Sequence, residues 1–102
     1  MSLIADGNSL FVIDITYTAP FEAVQKVMAP HMDFVRDCYA MGAFIMSGPK
    51  EPRSGGIVIA QAASQPEIEA LVARDPFVLA GVVSVAITQF HASNMAPALA
   101  AV

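Results

Sequence analysis

Residues 10–17, LFVIDITY, alternate two kinds of side chain. Phe11, Ile13, Ile15 and Tyr17 share one face of an extended chain; Val12, Asp14 and Thr16 share the other, more polar face. This pattern marks a strand with its apolar side in a core. Thr18-Ala19-Pro20 then turns the chain toward a helix, since proline is tolerated in a first helical turn. From Phe21 to Met41 the apolar spacing is helical, but Pro30 cannot continue a backbone ladder. The spacing predicts a short helix over 21–28, a break, and a longer helix from Pro30 to Met41. In the longer piece His31, Phe34, Val35, Cys38 and Met41 fall on one stripe, with Asp33, Arg36 and Asp37 opposite. Gly42 is the expected stop.

Downstream, 43–48 (AFIMSG) reads as a short buried strand and 49–56 (PKEPRSGG) as a polar loop with turn chemistry. Residues 57–61 (IVIAQ) form a third strand, paired with the second through that loop. Ser64 is a plausible N-cap for a helix over 65–74, with Ile68, Leu71 and Val72 on its apolar side. Asp75-Pro76 either ends that helix or opens a new turn through Leu79, and Gly81 breaks it. Residues 82–90 are the last strand, with Val83, Val85 and Ile87 facing one way and Ser84, Ala86, Thr88 and Phe90 the other. The expected domain is 10–91, between an extension at 1–9 whose lack of pattern leaves it open to disorder and an alanine-rich tail at 92–102 without a clear period, either packed on a partner or loose.

The order β-α-(α)-β-β-α-β, with right-handed crossovers, predicts an α+β fold: a ferredoxin-like four-stranded antiparallel sheet with helices on one face. The other face still carries Val12, Ala86 and Phe90. Pairing two such faces gives a homodimer with an enclosed interior, into which Asp14 is expected to point.

The chain has 102 residues, enough for one domain with a modest core. With 56% hydrophobic and 14% charged residues it does not read as disordered. A net charge of −4 and five scattered basic residues argue against a nucleic-acid surface. No run of 18 apolar residues or signal peptide is seen, so neither a membrane span nor export is expected. The lone Cys38 has no partner for an internal disulfide, which suits the cytoplasm, and its place on the helical stripe predicts a small buried apolar role. His31 and His91 are not at metal-ligand spacing, and the glycines form no nucleotide-binding loop, so no metal or cofactor is expected.

Two residues stand out, each beside a proline: Pro30-His31 and Asp75-Pro76-Phe77. Histidine exchanges protons near neutral pH, and a carboxylate can fix which ring nitrogen carries the proton. Read alone, His31 fits a surface or capping histidine at a kink, and Asp75 fits the cap of a turn opened by Pro76. Capping and orienting a histidine are compatible, because a carboxylate has about four acceptor sites. Ser47-Gly48-Pro49 reads first as a turn; its functional reading is a hydroxyl and backbone N–H groups that hold a ligand oxygen. Ser47 lacks the context of a hydrolase nucleophile. Phe77 reads as core or pocket wall, and His91 as peripheral.

The strand FVIDITY, the Pro30-His31 helix start, MGAFIMSGP (41–49), GGIVIA (55–60) and DPFVLAGV (75–82) together resemble a YciI-like (YCII-related) domain of the dimeric α+β barrel superfamily. The resemblance implies a barrel-forming dimer and an active site holding His31 and Asp75, with Ser47 nearby; Gly48, Pro49 and Phe77 are expected beside the substrate. It also implies kinship with enzymes of aromatic catabolism, a dehydrochlorinase among them, and with muconolactone isomerase-like proteins. The expectation is a small enzyme, lyase or isomerase in type. It would do His–Asp acid–base chemistry on a small cyclic or aromatic-derived acid, lactone or phenol. The rival is a non-catalytic small-molecule-binding module on the same dimer.

Overall fold

Strand β1 (Ser9–Tyr17) lies inside the sheet, antiparallel to β3 (Gly55–Ala62) on one side and β4 (Val83–Phe90) on the other. Strand β2 (Phe44–Pro49) pairs antiparallel with β3, giving the order β2-β3-β1-β4. This computed structural model describes residues 3–100. The four-stranded antiparallel sheet and the helices between its strands match the ferredoxin-like expectation. Phe11, Ile13 and Ile15 of β1 and Val58 and Ala60 of β3 are buried under Val35 and Cys38 of helix α2 (Met28–Ala40) and Ile68 and Val72 of helix α3 (Gln65–Val72). Among the described residues no helix is long and apolar enough to cross a membrane.

The helical segment after β1 breaks earlier than expected. Helix α1 covers Phe21–Lys26, the chain turns at Val27, and α2 begins at Met28. Pro30 therefore lies inside the first turn of α2, where a backbone N–H has no partner four residues back. The first such bond is donated by the His31 N–H to the Val27 carbonyl, at 3.1 Å. Met41 leaves the inward stripe and is 58% exposed, because α2 ends at Ala40. The polar loop shrinks to 50–54, since Pro49 already pairs with Gly56. Helix α3 stops at Val72 with Ser64 as its N-cap, and Asp75 opens a separate turn, α4 (Pro76–Leu79).

Both chain ends contain structure that no sequence pattern marks; residues 1–2 and 101–102 of the expected extension and tail lie outside the described residues. Gln61 is buried in β3 and its side chain gathers the N-terminal segment. Its Oε1 accepts from the Ala5 N–H and from Asn8 Nδ2, and its Nε2 donates to the carbonyls of Leu3 and Gly42. These bonds order a stretch that has no hydrophobic pattern to reveal it. The tail contains a short helix, α5 (Pro97–Ala100).

Two constraints in this frame are testable. A Cβ placed on Gly55 would lie 1.8 Å from the Ile15 carbonyl oxygen, so β3 reaches β1 here only without a side chain. Gly55→Ala is expected to lose at least ~1–3 kcal/mol of stability in urea unfolding. Gly48→Ala, with open space at its Cβ, should stay within ~0.5 kcal/mol. Cys38 is fully buried, and loss of solvent raises its thiol pKa from 9.0 to about 11. The folded state therefore holds this proton more tightly than the unfolded chain. That contribution to stability is complete below pH 9 and is lost as pH rises toward 11. A thiol reagent at neutral pH should label Cys38 only after unfolding, and wild type should lose more stability between these pH values than Cys38→Ala.

Candidate active site

Helix α2 supplies the imidazole and α4 the carboxylate. Asp75 is 4% exposed. Its Oδ1 accepts from the Phe77 N–H at 2.9 Å, capping α4, and lies 2.7 Å from Nδ1 of His31. The two readings of Asp75 thus coincide in one oxygen. The carboxylate can only accept, so Nδ1 carries the ring proton and neutral His31 presents a lone pair on Nε2. Among the described residues, no group hydrogen-bonds Nε2.

The ring plane is held from its face as well. Phe77 stacks on His31 with ring centroids 3.7 Å apart and planes 5° from parallel. Phe77 is itself locked by the end of α4. Gly81, at φ +69°, adopts the left-handed turn that an L side chain resists. The Gly81 N–H then donates to the Val78 carbonyl and the Val82 N–H to the Phe77 carbonyl, and Val82 packs with Phe77 and Val24. The DPFVLAGV segment is thus one compact device that caps, turns and fixes a ring beneath the imidazole.

His31, Phe77, Ser47, Gly48 and Pro49 all line one cavity of about 280 Å³; Asp75 sits behind His31 and is not in its wall. Ile15, Met28, Met32 and Val35 make that wall largely apolar. Ser47 pairs with Val58 in the sheet register and so faces the helices, where its Oγ is 2.6 Å from the Tyr39 hydroxyl. Tyr39 escaped the sequence reading, although its place eight residues after His31 puts both on one stripe of α2. Tyr17 and Arg53 also line the cavity and were not singled out. Their signal was weak: a strand-end aromatic, and one arginine in a polar loop.

Other sequence candidates lie elsewhere. Asp14 is on the sheet face away from the helices, paired at 2.6 Å with Lys50, which also donates to Thr16 Oγ1. His91 borders a recess between the two chain ends. Among the described residues, no three His, Cys, Asp or Glu side chains cluster as metal ligands.

Asp75→Ala removes a cap and the partner of a buried ring, so it should cost about 1–3 kcal/mol of stability. It should also release the tautomer: ¹⁵N spectra should show Nδ1–H in wild type at a pH where the ring is neutral, and a mixture in the variant. A wild-type ring protonated on Nε2 would refute the assignment.

The chain resembles two enzymes of known structure. One is the 5-chloro-2-hydroxyhydroquinone dehydrochlorinase TftG of Burkholderia phenoliruptrix, solved in complex with 2,5-dihydroxybenzoquinone. It is 21% identical, with a TM-score of 0.70 over 79% of this chain and 92% of that one. The other is SnoaB, a cofactor-independent oxygenase of Streptomyces nogalater. It is 15% identical, with a TM-score of 0.52 over 88% of this chain and 97% of that one. At these identities the likeness is one of fold. No curated protein matches the chain. The model of the YCII-related domain matches residues 9–91, the whole sheet and every residue of the His31–Asp75 cavity, and the chain belongs to that family.

Proposed function

We propose that this protein is a small-molecule enzyme in which His31 moves a proton and Asp75 orients and charge-stabilises the imidazole. The observation that carries this reading is the 2.7 Å contact between Nδ1 and the buried carboxylate, with Nε2 unengaged beside an apolar cavity. In this reading Nε2 takes a proton from a substrate carbon or hydroxyl. The electron pair left behind spreads onto a substrate oxygen held by the Ser47 hydroxyl and the backbone N–H groups around Gly48. The pair then either recaptures the proton at another atom or expels a leaving group. These are isomerase and lyase outcomes, and each needs only a placed base and a partner for the oxyanion. The apolar walls keep water from competing for the proton.

The substrate class is a small cyclic or aromatic-derived acid, lactone or phenol. The quinone bound by TftG and the chlorinated hydroquinone in its name support a ring of that size, and the cofactor-independent chemistry of SnoaB supports a protein acting without metal or nucleotide. The proposed assembly is a homodimer through the sheet face that carries Val12, Ile59, Met46 and Phe90; Met46 is 53% exposed in the protomer. That pairing would enclose the Asp14–Lys50 pair. The proposed location is the cytoplasm, where a single buried thiol stays reduced.

The test uses 5-chloro-2-hydroxyhydroquinone as substrate and 2,5-dihydroxybenzoquinone as binding probe. Wild type should release chloride and bind the quinone. His31→Ala should keep its fold and lose ~10²–10⁴-fold in turnover, the usual worth of general-base help. Unchanged turnover in His31→Ala removes the imidazole from the mechanism. Quinone binding without turnover favours the non-catalytic binding module.

A further inference from the structure

Arg53 stands at the rim of the cavity, in the tight loop between β2 and β3, and nothing in the proton-transfer reading uses it. Its guanidinium carbon lies 5.1 Å from the centre of the Phe21 ring. From there a series of ring contacts runs inward: Phe21 to Tyr17 at 6.0 Å, Tyr17 to Phe77 at 6.1 Å, and Phe77 to His31 at 3.7 Å. The arginine and the imidazole are thus the two ends of one aromatic path along the same hollow.

Of the chain's five basic residues, Arg36 pairs with Asp33 and Lys50 with Asp14, whereas Lys26, Arg53 and Arg74 have no ion-pair partner among the described residues, and of these three only Arg53 lines the cavity. Among the described residues, no carboxylate lies within ion-pair distance of Arg53, and the cavity wall contains no Asp or Glu. The guanidinium carbon sits over the Phe21 ring, and the edge of the guanidinium, with its N–H donors, has no hydrogen-bond partner among the described residues. That edge is a planar fork matched in spacing to two oxygens of one carboxylate. A lactone or a neutral phenol offers it no pair of equivalent charged oxygens.

We infer that a carboxylic acid is the preferred substrate, bound with its carboxylate on Arg53 and its ring on the apolar wall beside His31. This rests on the acid–base reading of the cavity and ranks the acid above the lactone and the phenol that the reading also admits. The long-range field cannot produce such a preference. A net charge of −4 repels anions, and at physiological ionic strength fields fade over about 8 Å. Any preference for an anion over its neutral isostere must come from a cation at the cavity itself.

The experiment compares benzoate with benzamide, which share size and ring but differ in charge. Affinity is read by calorimetry, and placement by the imidazole resonances of His31. Benzoate should bind at least ~10-fold more tightly than benzamide, the low end for a charge-assisted bond, and both should move the His31 resonances. Arg53→Met should bring the ratio to about one, and Arg53→Lys, which keeps the charge but not the fork, should restore part of it. Equal binding of the two probes with His31 shifted, or a ratio unchanged in Arg53→Met, overturns the role of Arg53 and leaves the proton-transfer site standing. Binding that leaves His31 unmoved, or no binding of either probe, overturns both.

Discussion

One oxygen atom, Oδ1 of Asp75, accepts from a backbone N–H of α4 and from the imidazole of α2. A carboxylate this deeply buried must be paired, because an unpaired charge in such a place costs several kcal/mol. Each donor therefore satisfies a need set by the other element. The turn of α4 needs an acceptor at its start, the carboxylate needs donors to remain buried, and the histidine needs a fixed tautomer to be useful. Under the proposed function, folding and chemistry share one hydrogen-bonded junction, and neither helix could be shifted without disturbing it.

The sheet brings the rest of the cavity to that junction. The absence of a side chain at Gly55 lets β3 close against the Ile15 carbonyl, and the tight loop that precedes it carries Arg53 to the rim. The same hairpin presents Ser47, Gly48 and Pro49 on the edge strand opposite α2. Tyr39 then reaches from the far end of α2 to Ser47. The hollow is therefore closed by four separate segments: the end of β1, a helix start, an edge hairpin and a four-residue turn.

Period-two alternation made β1 and β4 legible, because each has one buried face and one open face. The caps at Ser64 and Asp75 were equally plain, since short polar side chains before a helical run have a direct physical role there. Pro30 misplaced the start of α2 by two residues, because a proline is tolerated throughout a first helical turn and not only at its opening position, and the residue that breaks the ladder, Val27, carries no such mark. Gln61 was invisible as a hub because its four partners include backbone groups, which no side-chain pattern records. Ser47, Gly48 and Pro49 were marked by turn chemistry, whereas Tyr39 and Arg53 meet the cavity only through tertiary folding. The pairing of His31 with Asp75, 44 residues apart, was an idea that the residue types permitted and that only three dimensions could place.

Phe77 covers one face of the imidazole and fixes its plane. The Nε2 lone pair lies in that plane and so has a single direction in the molecular frame. A flat carbanion or enolate lying against it can be approached from one side alone. For a substrate held in one orientation, a proton delivered to a prochiral carbon by this nitrogen would arrive on the same enantioface in every turnover, and the stacked phenylalanine, though it touches no reacting atom, would help set the handedness of the product.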